Sequence, residues 1–115
     1  MDPDLPFAYL TTSGRRSGRP HTVEIWFALI DGTVYLLSGG GDRSDWVRNL
    51  RANPRVSIRI GQDERPASAR LVDAPDEDLA ARRMLAAKYQ GWREDQPMSG
   101  WARTAMPMAI DLDAR

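Results

Sequence analysis

The sequence predicts one mostly-β domain over residues 1–115, a barrel of about six strands plugged by two or three helices. Three observations carry this. Short runs rich in β-branched and aromatic residues recur at close spacing, divided by Gly, Pro and Asp turns. Helical periodicity of apolar residues is confined to two segments. Nothing follows the strand–helix–strand rhythm that builds a parallel sheet. At 115 residues, 42% hydrophobic and 28% charged, the chain is long enough for one core and too short for two.

Phe7 to Thr12 reads as the first strand. After a polar turn, Thr22 to Ile30 reads as one long second strand. Asp31-Gly32 is a two-residue hairpin signal, and Thr33 to Ser38 returns as the third strand. Gly39-Gly40-Gly41 ends it. Asp42 or Ser44 then caps a short helix in which Trp46, Val47 and Leu50 share a face, and Asn53-Pro54 stops that helix. In the fourth strand, Arg55 to Ile60, the apolar Val56, Ile58 and Ile60 alternate with Arg55, Ser57 and Arg59. Ala67 to Val72 pairs with it across a polar turn at 61–65. Pro75 opens the longest helix, with Ala81, Met84, Leu85 and Tyr89 as its apolar stripe. Its first turn holds Asp76-Glu77-Asp78, where the helix dipole favours negative charge, so this run is structural rather than catalytic. A loop through Pro97 and Gly100 leads to a last strand from about Thr104 to Leu112.

Composition removes several functions. With no cysteine and one histidine, His21, the chain has no disulfide, thiolate metal site or cysteine nucleophile, and too few ligands for a usual zinc centre. Sixteen basic and sixteen acidic side chains cancel, so no global field recruits nucleic acid. No apolar run approaches a membrane span and no charged-then-apolar leader opens the chain, which makes a cytoplasmic location the expectation. There is no Gly-x-Ser-x-Gly motif, and the carboxylates of Asp111 and Asp113 have no dyad spacing. Chemistry would have to come from a bound cofactor.

The strongest local signal is the turn Ser13-Gly14-Arg15-Arg16-Ser17-Gly18-Arg19-Pro20-His21. Three arginines and a histidine in seven residues cannot be buried in a tight turn. They point to solvent, as a solvated basic hairpin, or to an anion, with Ser17 and the glycine amides as added donors. Alternation splits the second strand into a core face of Val23, Ile25, Phe27 and Leu29 and an opposite face with Glu24 and Trp26. A carboxylate there is costly to bury unless paired. Glu24 either meets an arginine or a wet edge, or borders a ligand cleft. Ser38-Gly39-Gly40 offers bare backbone for close approach of a flat ligand, or is a flexible loop. Trp46 reads as core, whereas Trp92, after Gly91 in a polar loop, is the aromatic least explained by packing.

Leu10 to Pro20, then Trp26-Phe27, then Asp45-Trp46-Val47-Arg48-Asn49-Leu50-Arg51-Ala52-Asn53-Pro54-Arg55-Val56, together resemble the deazaflavin-dependent nitroreductase family. Trp101 to Pro107 resembles its closing strand. The resemblance implies a split β-barrel that binds reduced coenzyme F420 and passes a hydride to a quinone, nitroaromatic or activated alkene. It implies cofactor contacts at Arg15, Arg16, Ser17, Gly18, Arg19 and His21 for the phosphate and polyglutamate tail. Val23, Glu24, Ile25, Ser38, Gly39 and Gly40 would flank the ring. Trp26, Tyr89 and Trp92 would meet the acceptor, with solvent or the Tyr89 hydroxyl as proton donor. Many members carry proline at the position of Glu24. Two alternatives stand beside this, an FMN-binding flavin reductase of the same fold and a non-catalytic cofactor carrier. Small-molecule partners and a homodimer are expected, with no metal.

Overall fold

The structure, a computed structural model, describes residues 1–114. Seven strands form one antiparallel sheet: β1 Ala8–Ser13, β2 Pro20–Ile25, β3 Ala28–Ile30, β4 Thr33–Ser38, β5 Arg55–Ile60, β6 Asp63–Leu71 and β7 Met106–Leu112. A 3-10 turn, Gly41–Arg43, precedes α1, Asp45–Ala52; α2 spans Pro75–Gln90 and α3 Gly100–Thr104. The strand order is β2-β1-β5-β6-β7-β4-β3.

That order forces the sheet to curl. β2 and β3 are its two edges, and seven flat strands would hold them roughly 29 Å apart. Only Trp26-Phe27 joins Ile25 to Ala28, and three Cα–Cα steps reach at most about 11 Å. The edges must therefore come round to one another, giving the split barrel. The single long strand expected over Thr22–Ile30 is thus two. β2 pairs with β1 (Ala8 opposite Ile25) and β3 with β4 (Ala28 opposite Tyr35), so the chain changes sheet edge at Trp26-Phe27.

Alternation then builds two cores. Leu10, Phe27, Leu36, Ile58, Met108 and Ile110 fill the barrel with Val47 and Leu50 of α1. On the outside of β3, β4 and β7, Tyr35, Leu37 and Ala109 pack beneath Ala81 and Leu85 of α2. The β3–β4 turn has φ of +49° at Asp31 and +80° at Gly32, the paired positive angles that a type I′ hairpin requires.

Three local expectations are corrected. The β5–β6 turn is only Gly61-Gln62, because Ile60 already pairs with Asp63, so β6 starts four residues before Ala67. The loop expected through Gly100 becomes α3, since Ser99 caps it by accepting the Ala102 N–H at 3.1 Å, and β7 starts at Met106 rather than Thr104. Met84 is 45% exposed and leaves the α2 stripe, whose packing face runs through Ala81, Leu85 and Ala86.

Candidate functional site

The basic turn is a built hairpin. Gly14 N–H donates to Arg19 C=O at 2.7 Å, Gly18 N–H to Gly14 C=O at 2.8 Å, and Arg19 N–H to Ser17 Oγ at 3.1 Å. A Cβ on Gly14 would lie 2.8 Å from both His21 Nε2 and Ser17 Oγ, so glycine lets these side chains fold in against the backbone. The arginines then divide. Arg15 gives its backbone N–H (3.2 Å) and Nη1 (2.9 Å) to Asn49 Oδ1, and Nη2 to Asp45 Oδ1 (3.2 Å). Asn49 is 4% exposed and completes the link by donating to Thr12 Oγ1 at 3.3 Å. Arg15 therefore ties the turn to α1. The guanidinium groups of Arg16 and Arg19 have no hydrogen-bond partner among the described residues and are exposed.

A cavity of about 460 Å³ lies between turn and helix. Arg15, Arg16, Ser17, His21 and Val23 line it on one side; Asp45, Trp46 and Asn49 of α1 face them. Trp46, expected in the core, is half-buried and forms this wall.

A second cavity of about 370 Å³ is lined by Glu24 and Ile25 at the end of β2 and by Trp26, with Leu37, Gln90, Trp101 and Phe7. Trp26 lies flat on Tyr89, with centroids 4.4 Å apart at 6°, and meets Trp101 edge-on at 5.4 Å and 85°. The Tyr89 hydroxyl accepts Phe27 N–H at 2.9 Å and lies 2.8 Å from Pro6 C=O, to which it donates. Burial raises its pKa above the usual phenol value. Beside it, Lys88 Nζ donates to Pro3 C=O at 2.8 Å and Phe27 C=O at 3.1 Å, 3.5 Å from the Phe27 ring centroid. The end of α2 thus holds both the barrel seam and the segment leading into β1.

Glu24 meets the wet edge rather than a buried arginine. Its Oε2 accepts the Tyr9 hydroxyl at 2.7 Å, and that bond is the main cause of the raised Tyr9 pKa. Arg59 sits over the Tyr9 ring with Cζ 4.3 Å from its centroid.

The other expected positions lie outside both cavities. Gly18 and Arg19 are at the exposed tip of the turn. Ser38 is buried, its hydroxyl donating to Gly41 C=O at 3.0 Å beside Ser44 Oγ at 2.8 Å. Gly39 faces the edge of Trp101, where a Cβ would lie 3.5 Å from Cδ1, and Gly40 faces Ser44. The Trp92 indole closes its own loop, donating to Gln96 C=O at 2.8 Å. Asn49, Gln90 and Trp101 were not foreseen as site residues. Asn49 carries a readable signal, a polar side chain on the same helix face as Trp46, Val47 and Leu50.

Among the described residues no cluster of three or more His, Cys, Asp or Glu could hold a metal, and no helix is long and apolar enough to cross a membrane. The F420H2-dependent quinone reductase Rv1261c of Mycobacterium tuberculosis is 37% identical over 79 residues, 65% of this chain and 52% of that protein. The chain therefore spans about half the length of this relative and of its counterpart in Mycobacterium bovis. Rv3178 of the same organism, named a putative F420H2-dependent quinone reductase, is 25% identical over 92% of this chain and 88% of its own. The solved F420-H2 dependent reductase FDR-A shares the fold, with a TM-score of 0.70 at 24% identity over 92% of this chain and 94% of its own. With residues 3–112 matched by the profile of that family, the chain belongs to the F420H2-dependent quinone reductases.

Proposed function

We propose that the chain binds reduced coenzyme F420 along β2 and reduces a small organic acceptor, a quinone, nitroaromatic or activated alkene, by hydride transfer. The observation that carries this is the placing of two cavities in succession along β2: Val23 lines the first and Ile25, two residues on and on the same face, lines the second. A long ligand with an anionic tail and a flat head fits a groove that is basic at one end and aromatic at the other. The donor set suits it. Arg16 and Arg19 are uncommitted among the described residues, and His21 and Ser17 sit against the bare Gly14 backbone. The bound deazaflavin would supply the hydride; Arg16, Arg19, His21 and Ser17 would hold its tail. Val23, Glu24 and Ile25 would flank its ring, and Trp26, backed by Tyr89, would order the acceptor. Ser38 to Gly40, Gly18 and Trp92 remain candidates at the margins of this groove. A cytoplasmic, homodimeric enzyme belongs to the same proposal, and size-exclusion chromatography checks the dimer.

Thermal-shift titration tests the cofactor. F420 at about a hundredfold its Kd should stabilise the protein by roughly 2.7 kcal/mol, with FMN far less effective. Equal stabilisation by FMN would favour a flavin reductase. F420 binding without turnover of any quinone would favour a carrier.

A further inference from the structure

Asp45 is the one acidic side chain among the described residues that line the first cavity. It stands against an arginine with two unequal anchors. Arg15 Nη1 meets Asn49 Oδ1 at 2.9 Å, and Asn49 is buried and itself tied to Thr12. Arg15 Nη2 meets Asp45 Oδ1 at 3.2 Å, the long end of the hydrogen-bond range, on a side chain that is 83% exposed. No other group among the described residues bonds the Asp45 carboxylate. An exposed ion pair holds weakly in water, whereas leaving a buried amide oxygen short of a donor is costly. The guanidinium therefore has a fixed end and a releasable end, and both partners of the releasable bond line the cavity.

We infer that Asp45 competes with the ligand's phosphate for Arg15: an entering phosphate oxygen takes Nη2 from Asp45 while Nη1 stays on Asn49. The inference rests on reading the first cavity as the anionic end of the groove. It goes beyond that reading by adding a third arginine to Arg16 and Arg19, and by naming the residue that withholds it. Asp45 is a positioning residue, since it acts through Arg15. Its charge sets an upper limit on how tightly the phosphate is held.

The test is calorimetric titration of the cofactor-free protein with inorganic pyrophosphate. Salt is kept at about 0.15 M, where the general field is screened beyond roughly 8 Å. All variants are titrated well below their Tm. Asp45→Asn should bind pyrophosphate about fivefold more tightly than the parent, the upper worth of an exposed ion pair. In an Arg15→Ala background the same change should gain less than about twofold, because no bond is left to release. An equal gain in both backgrounds would mean that Asp45 acts only through its field, and overturns the inference. So does binding by the parent with no gain on Asp45→Asn. Failure of pyrophosphate to bind either protein overturns the anionic reading of the cavity and the inference with it. Neither F420 nor an acceptor enters the measurement, so these outcomes stand apart from the ring site.

Discussion

Tyr89 lies flat against Trp26 at 4.4 Å while its hydroxyl accepts the N–H of the next residue, Phe27, at 2.9 Å. One side chain therefore fixes both the ring that walls the second cavity and the peptide that carries the chain from one sheet edge to the other. Tyr89→Phe preserves the stack and strands the Phe27 N–H. It should cost about 1–3 kcal/mol in chemical denaturation and leave acceptor KM nearly unchanged. Tyr89→Leu loses the stack as well, and should raise KM for a quinone. If Tyr89→Phe instead lowered kcat with no loss of stability, the hydroxyl would be the proton donor.

The arginines of the β1–β2 turn should separate by phenotype. Arg16→Ala with Arg19→Ala should weaken F420 binding at least tenfold and shift Tm little, since exposed uncommitted guanidinium groups contribute little to stability. Arg15→Ala should do the reverse in part. It takes the Nη1 donor from the buried Asn49 Oδ1 and leaves only the backbone N–H of residue 15, which should cost about 1 kcal/mol. Paired urea melts and cofactor titrations read the two effects.

Acid stability should depend on a network whose residues line neither cavity. Arg70 donates to both oxygens of Glu77 (2.7 and 2.6 Å) and through Nε to Asp111 at 2.7 Å, while the Tyr35 hydroxyl donates to Glu77 at 2.6 Å. Arg70 first and Tyr35 second lower the Glu77 pKa from 4.5 to about 2. A carboxylate depressed in the folded state stabilises it above its ordinary value, and that stability is lost as pH falls through the folded pKa. The loss should therefore run from pH 4.5 down to about 2. Water screening at this partly exposed pair limits it to about 1 kcal/mol. Glu77→Gln should flatten the Tm–pH curve across that window and leave quinone turnover unchanged.

Much of the barrel was legible because local rules sufficed. Asp31-Gly32 named its own turn, Pro75 and Gly91 bracket α2, and the alternation of Val56, Ile58 and Ile60 named their face of β5. The division of the second strand was hidden. Residues 22–30 keep strand propensity throughout, and only the barrel's closure requires a change of edge at Trp26-Phe27. The basic turn was legible as a candidate anion site and lines the first cavity, whereas Trp46, read as core, stands in its wall. The sequence reading did not show that Arg15 is already engaged, because its partner, Asn49, is 34 residues away and inside a helix. Likewise Gln90 and Trp101 reach the second cavity only through the packing of α2 and α3 on the sheet.

β7 is the last strand in sequence, yet it sits between β6 and β4. The β1–β2, β3–β4 and β5–β6 hairpins can form from neighbouring residues, but the β3–β4 hairpin joins the rest of the sheet only through β7. During synthesis the chain must therefore hold a hairpin whose β4 edge is unpaired for some seventy residues, until Met106–Leu112 arrives. Such a topology favours slow, late closure and leaves the unpaired β4 edge exposed to aggregation until then. Loss of Met108 or Ile110 should then show first as poor yield from the ribosome rather than as a lower melting point of whatever protein survives.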